Sequence, residues 1–126
     1  MKDREFDIVV WGATSFVGEL VAEYLVRRPG EFRLALGARN PEKLDAVMKS
    51  LGVELPTVLG DSFDHNFLDE MTARTKVVLS TVGPYQKYGE PLVAACAKNG
   101  TDYCDLTGET PFIRQMMDKY QQQAED

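Results

Sequence analysis

Two patterns of apolar positions alternate along the chain. Short runs that stop at glycine or a polar cluster predict buried strands, and stretches with apolar residues three and four apart predict helices. The first run, "FDIVVWG" (6–12), reads as a strand. "SFVGELVAEYLVRR" (15–28) follows as a helix, with Phe16, Val17, Leu20, Val21, Tyr24 and Leu25 as its expected apolar stripe and Pro29-Gly30 as its stop. "FRLALGA" (32–38) predicts a second strand. Asn40 as cap and Pro41 at the first position then open a helix through Leu44, Val47, Met48 and Leu51 that ends at Gly52. "PTVLG" (56–60) predicts a short third strand, "HNFLDEMTAR" (65–74) an amphipathic helix and "KVVLSTVG" (76–83) a fourth strand. "EPLVAACAKNG" (90–100) reads as a helix with Pro91 in its first turn and Gly100 at its end. "TDYCDLT" (101–107) predicts a fifth strand, and "TPFIRQMMDKYQQQAED" (110–126) a last helix capped by Thr110.

Strands alternating with helices at this spacing predict an α/β fold. The expected architecture is a Rossmann-type doubly wound parallel sheet of about five strands with helices on both faces. Right-handed crossovers favour the strand order 3-2-1-4-5, with a flavodoxin-like order as the competitor. No repeat, low-complexity linker or internal boundary divides the chain, so residues 1–126 are read as one domain.

Composition narrows the classes. A chain that is 44 % apolar and 27 % charged is an ordinary soluble domain. A net charge of −6 argues against a general nucleic-acid binder, which needs a basic face. The acidity gathers towards the end, where residues 101–126 carry six acidic and two basic side chains. No apolar run reaches the roughly 20 residues of a membrane span. The charged start "MKDREFD" lacks a signal-peptide core, so a cytoplasmic location is expected. Cys96 and Cys104 both fall in apolar segments and are expected to be buried, reduced thiols. His65, the one histidine, lies far from both, so no metal site is expected.

The candidate chemistry sits at the strand ends. "GATSFVG" joins the first strand to the first helix. A helix N-terminus offers unpaired N–H groups and partial positive charge to a phosphate. Gly12 permits the sharp turn, Gly18 close packing of helix on strand, and Ser15 stands where a dinucleotide fingerprint more often has glycine. Its hydroxyl is expected to add a hydrogen bond to phosphate. An acid at the end of the second strand would mark an NAD site. None occurs from Phe32 to Pro41; Arg39 stands there instead, with Lys43 one turn into the helix. A guanidinium suits the 2′-phosphate of NADP, so NADP is favoured over NAD. Asp61, after the third strand, either accepts from an adenine amino group or caps the following helix. Thr81, Val82, Gly83 and Pro84 close the fourth strand beside the switch point and are expected to line the nicotinamide half of the cofactor.

With these residues placed, the chain resembles the N-terminal domain of the saccharopine dehydrogenase-like oxidoreductases, a group that includes trans-acting enoyl reductases. The matching stretches are "VVWGATSFVG", "LALGARNPEKL", "VVLSTVGPYQKYGEPLVAACAKNGTDYCDLTGE" and "PFIRQMMDKY". The resemblance implies an NAD(P)-binding Rossmann domain and carries cofactor contacts to Gly12, Thr14, Ser15, Phe16, Val17, Arg39, Val82 and Gly83. Ser15 and Trp11 depart from the family pattern. So does the length: family members continue into a substrate domain, so the chain is expected to be a fragment. An exposed apolar surface with weak homodimerisation is expected where that domain is missing, and membrane association of the full-length protein stays open.

Three readings remain. The favoured one is the cofactor domain of an NADP-dependent oxidoreductase, inactive on its own. The others are a nucleotide-binding sensor without chemistry and a flavodoxin-like interaction domain with an empty turn. No lysine has a tyrosine four residues before it, so the Tyr-Lys acid pair of short-chain dehydrogenases is excluded within the chain. Tyr85 and Tyr88 are weak catalytic candidates. Asp105 and Glu109, in "DLTGE", are read as orienting substrate or binding a second domain.

Overall fold

The computed structural model describes residues 4–28 and 32–125; the expected Pro29-Gly30 stop lies outside them. Five strands, β1 (Phe6–Trp11), β2 (Leu34–Ala38), β3 (Thr57–Leu59), β4 (Thr75–Ser80) and β5 (Asp102–Asp105), form one sheet. All four pairings are parallel and the order is β3-β2-β1-β4-β5, the Rossmann order expected. The helices are α1 (Phe16–Val26), α2 (Pro41–Leu51), α3 (His65–Ala73), α4 (Tyr85–Tyr88), α5 (Glu90–Asn99) and α6 (Thr110–Glu125).

The central strand explains the layering. Val9 and Trp11 point to one face, into a cluster with Leu68 and Met71 of α3 and Leu92, Ala95 and Cys96 of α5. Val10 points to the other, with Ala22 of α1 and Leu44 and Val47 of α2. Val9 and Val10 are wholly buried, each contributing about 1.5–3 kcal/mol of apolar burial. Trp11 fits because the neighbouring strand carries Gly37: a Cβ there would stand 2.7 Å from the indole Cε3. Three helices begin on side-chain caps. Ser15, Asn40 and Asp64 accept from the N–H of Gly18, Lys43 and Phe67 at 3.0, 3.0 and 3.1 Å, each worth about 1 kcal/mol. The capping considered for Asp61 therefore falls to Asp64.

Other expectations need correcting. The strand expected over 76–83 stops at Ser80: Thr81 N makes the last ladder bond, to the Trp11 carbonyl at 2.9 Å, and its partner strand then turns away at Gly12, with φ of +91°. The short α4 was not foreseen. Thr110 is the first helical residue of α6 rather than its cap, since the Glu109 carbonyl already accepts from Ile113 N. In α1 the expected stripe holds only in part: Val21 and Leu25 pack against the core. Gly18 and Ala22 face the sheet, whereas Phe16, Val17, Leu20 and Tyr24 are exposed. Small residues let the helix lie close to the strand and leave the bulky ones on its flank. Cys104 is exposed, not buried; Cys96 is buried as expected.

Cys104 lies on the same face of the sheet as α1. Ile8 and Val10 lie on the α1 side of the sheet, beside Val77 and Leu79 of β4, which lie beside Asp102 and Cys104 of β5. Parallel sheets are ordinarily covered on both faces. Here α3 and α5 cover one face, but over β4–β5 the α1 face leaves Val77 and Leu79 half-buried and Cys104 exposed.

Candidate functional site

The carboxyl ends of β1 to β4 open onto a cleft of about 580 Å³. Its wall is built from four successive segments: Gly12, Thr14 and Ser15 after β1; Arg39 and Lys43 after β2; Asp61, Ser62 and Phe63 after β3; Thr81, Val82 and Gly83 after β4. Lys87 and Tyr88 of α4 complete the rim, and Trp11 and Ala38 lie beneath. The volume is that of a small-molecule site.

Gly12 sets the turn. Its φ is +91°, a backbone shape L side chains rarely adopt, and a Cβ would stand 2.7 Å from both Thr81 Oγ1 and Val82 Cγ2. Thr81 fastens the turn by donating its hydroxyl to the Gly12 carbonyl at 3.0 Å. Gly18 lies behind the turn, where a Cβ would collide with that same carbonyl. Ser15 has an ordinary extended φ of −75°. Its hydroxyl accepts from Gly18 N at 3.0 Å and donates to Gly12 O at 2.9 Å, so it is engaged in capping rather than free for a phosphate. In the first turn of α1 this leaves the N–H groups of Phe16 and Val17 without intrahelical acceptors.

Charge is concentrated here against the protein's sign. In a chain of net charge −6, the cleft carries Arg39, Lys43 and Lys87 against the single carboxylate of Asp61. Arg39 Nη1 stands 3.9 Å from Asp61 Oδ2, an exposed pair worth little by itself. Asp61 Oδ1 accepts from Phe63 N at 2.8 Å, which fixes the carboxylate at the cleft edge.

Of the residues singled out from sequence, Gly12, Thr14, Ser15, Arg39, Asp61, Thr81, Val82 and Gly83 share the cleft wall. The side chains of Phe16 and Val17 point to solvent, Gly18 supports the turn from behind, and Pro84 lies outside the wall after a cis Gly83-Pro84 bond. Sequence reasoning missed Ser62, Phe63 and the rim role of Lys87 and Tyr88. The Phe63 and Tyr88 rings meet at 5.4 Å, tying the loop after β3 to α4. Lys87 Nζ lies 5.1 Å from the Tyr88 ring. Tyr85 faces away from the cleft. Its buried hydroxyl donates to Ser80 O at 3.1 Å and accepts from Leu106 N at 3.3 Å, and burial raises its pKa.

A strand–glycine turn–helix opening onto a cationic cleft is the geometry of a dinucleotide site. The family profile of the saccharopine dehydrogenase NADP binding domain matches residues 8–126. A trans-acting enoyl reductase of Mycobacterium tuberculosis is 51 % identical over 127 residues. One of Mycobacterium ulcerans is 50 % identical over 126 residues. In both, the match covers 98 % of this chain and 30 % of the relative, so the chain spans about a third of the length of these curated relatives. Among solved structures, apo saccharopine dehydrogenase (L-Glu forming) from Saccharomyces cerevisiae superposes with a TM-score of 0.74 at 22 % identity, over 88 % of this chain and 24 % of that one. AtPrR2, solved with NADP+ and (+)-pinoresinol, gives 0.67 at 17 % identity, over 96 % and 48 %. These two likenesses establish the fold. The chain belongs to the saccharopine dehydrogenase NADP-binding domain family, and the cofactor of that domain is NADP.

Proposed function

We propose that this chain holds NADPH for a larger reductase that acts on an enoyl double bond, as its mycobacterial relatives are named to do. The observation that carries the reading is the pairing of the Gly12–Gly18 turn with Arg39 and Lys43 on one cleft wall. The residues present fit the cofactor. The backbone at Gly12 leaves room that a Cβ would fill. The free N–H groups of Phe16 and Val17, at the positive end of α1, suit a pyrophosphate. This is how Phe16 and Val17 act although their side chains face solvent. Thr14 and Ser15 shape the same turn. Arg39 and Lys43 take the 2′-phosphate, Asp61 lies where the adenosine half would pass, and Val82 and Gly83 flank the nicotinamide half. NADPH, when bound, supplies a hydride; the residues of this chain bind and orient it.

The rest of the reductase, on this reading, lies in polypeptide that the relatives possess beyond the matched part. Its place is the bare β4–β5 half-face formed by Val77, Leu79 and Cys104. Substrate selection belongs to that portion, and the chain alone is expected to bind cofactor without turning over substrate.

Cofactor choice tests the reading. A hydrogen bond to a charged group is worth about 1.5–3 kcal/mol, and about 1.4 kcal/mol is tenfold in affinity. Arg39→Ala should therefore weaken NADPH by about one to two orders of magnitude and leave NADH almost unchanged. Equal loss of both cofactors would show that Arg39 holds the loop rather than reading the phosphate.

A further inference from the structure

The "DLTGE" segment carries two carboxylates that the cofactor reading leaves unused. Both are committed. Asp105 Oδ2 accepts from the Tyr103 hydroxyl at 2.6 Å and Oδ1 from Thr107 N at 3.0 Å. Glu109 Oε2 accepts from Tyr85 N at 2.8 Å and Oε1 from Gln86 N at 3.0 Å. The last two donors are the first N–H groups of α4, the element that brings Lys87 and Tyr88 to the cleft rim.

We propose that Glu109 is a positioning residue for the cleft: its carboxylate holds the start of α4 and so fixes the rim formed by Lys87 and Tyr88. A helix of four residues cannot sustain itself. Its own leading residue, Pro84, supplies no side-chain cap. The Pro84 carbonyl accepts from Lys87 N and Tyr88 N, both at 3.1 Å, and Glu109 satisfies the remaining two N–H groups. Both of its bonds are charge-assisted and lie at the positive end of the turn. From below, the Tyr85 ring packs 5.9 Å from Phe112 of α6. At Gly89, just after α4, a Cβ would stand 2.7 Å from Phe112 Cζ, so the turn is seated closely on α6. Glu109 itself is steadied by its N–H to Thr107 Oγ1 at 3.0 Å. A bracket thus runs from the end of β5, through Asp105, Thr107 and Glu109, to the rim. Recruiting Glu109 as an acid or base would undo the cap.

This inference rests on the cofactor reading, and the experiment separates the two. NADPH affinity is measured by Trp11 fluorescence for wild type, Glu109→Gln and Glu109→Asp, with amide exchange at Tyr85 and Gln86 and thermal melting alongside. In Glu109→Gln one acceptor is replaced by an amide N–H facing a backbone N–H. Exchange at Tyr85 and Gln86 should quicken about tenfold or more, and NADPH should bind about five- to thirtyfold more weakly. Glu109→Asp, which keeps the charge, should recover part of both. Tyr88→Ala should cost less affinity in the Glu109→Gln background than in wild type, because the rim is already loosened. NADPH binding by Glu109→Gln as tight as wild type, or unchanged exchange at Tyr85 and Gln86, would overturn the proposal and leave the cofactor reading intact. Wild type that binds no NADPH would overturn the cofactor reading and, with it, the role given to the rim.

Discussion

At the residue scale the two glycines of the turn differ in kind. Gly12 is required by its backbone, with φ at +91°, and Gly18 by space, since a Cβ there meets the Gly12 carbonyl. Gly18→Val should abolish NADPH binding in a protein that still folds, by displacing the N–H groups at the start of α1. Ser15→Gly should leave binding nearly intact, because glycine is itself a tolerated cap and costs only a few tenths of a kcal/mol. Titration of both variants with NADPH checks this; unchanged affinity in Gly18→Val would place the phosphate elsewhere. Both glycines were legible in the sequence, because a glycine that ends an apolar run and another that opens a helix have few uses. Trp11 read as a departure from the family pattern; the room for it comes from Gly37, remote in sequence. Cys96 offers a different test. Burial pushes its thiol up to about 12, so the folded state keeps a proton that the unfolded thiol loses near pH 9. Its contribution is fully present below pH 9 and is lost as pH rises towards 12. Stability should fall by up to about 1.4 kcal/mol per pH unit in that window. Urea melts of Cys96→Ala should show a shallower alkaline slope than wild type.

At the element scale, caps and stops were the legible part. Asn40 opens α2, and Gly52 and Gly100 end α2 and α5 with φ of +71° and +66°. The stripe of α1 was legible only for Val21 and Leu25, because apolar spacing shows that a helix has an apolar side without showing which residues meet the sheet. Gly18 and Ala22, too small to register as a stripe, decide it. Leu20→Glu should therefore change stability by only about 0.5 kcal/mol, whereas Ala22→Leu should cost about 1–3 kcal/mol by overpacking against β1 and β2. Denaturant unfolding of the two variants checks the assignment; a large loss in Leu20→Glu would contradict it. The four residues of α4 fall below the length at which periodicity carries information. Its cap comes from Glu109, more than twenty residues away, so neither the turn nor its support was visible locally.

At the scale of the molecule, strand order followed from the alternation of elements, and the cleft's place at the strand ends from Rossmann geometry. The bare β4–β5 half-face did not, because Cys104 sits in an apolar segment whose covering helix is absent among the described residues. A thiol reagent should modify Cys104 alone in the folded chain and both cysteines after unfolding; protection of Cys104 that grows with protein concentration would show self-association through this face. The central claim is that NADPH lies across the β1–α1 turn and against Arg39. Amide chemical shifts recorded while NADPH is added to the 126-residue chain test it most directly. The largest changes are predicted at Thr14, Phe16, Val17, Arg39 and Val82, with NADH moving the turn but not Arg39. Changes gathered instead around Met116, Met117 and Tyr120, in the cleft between α5, β5 and α6, or no saturable change at all, would contradict it.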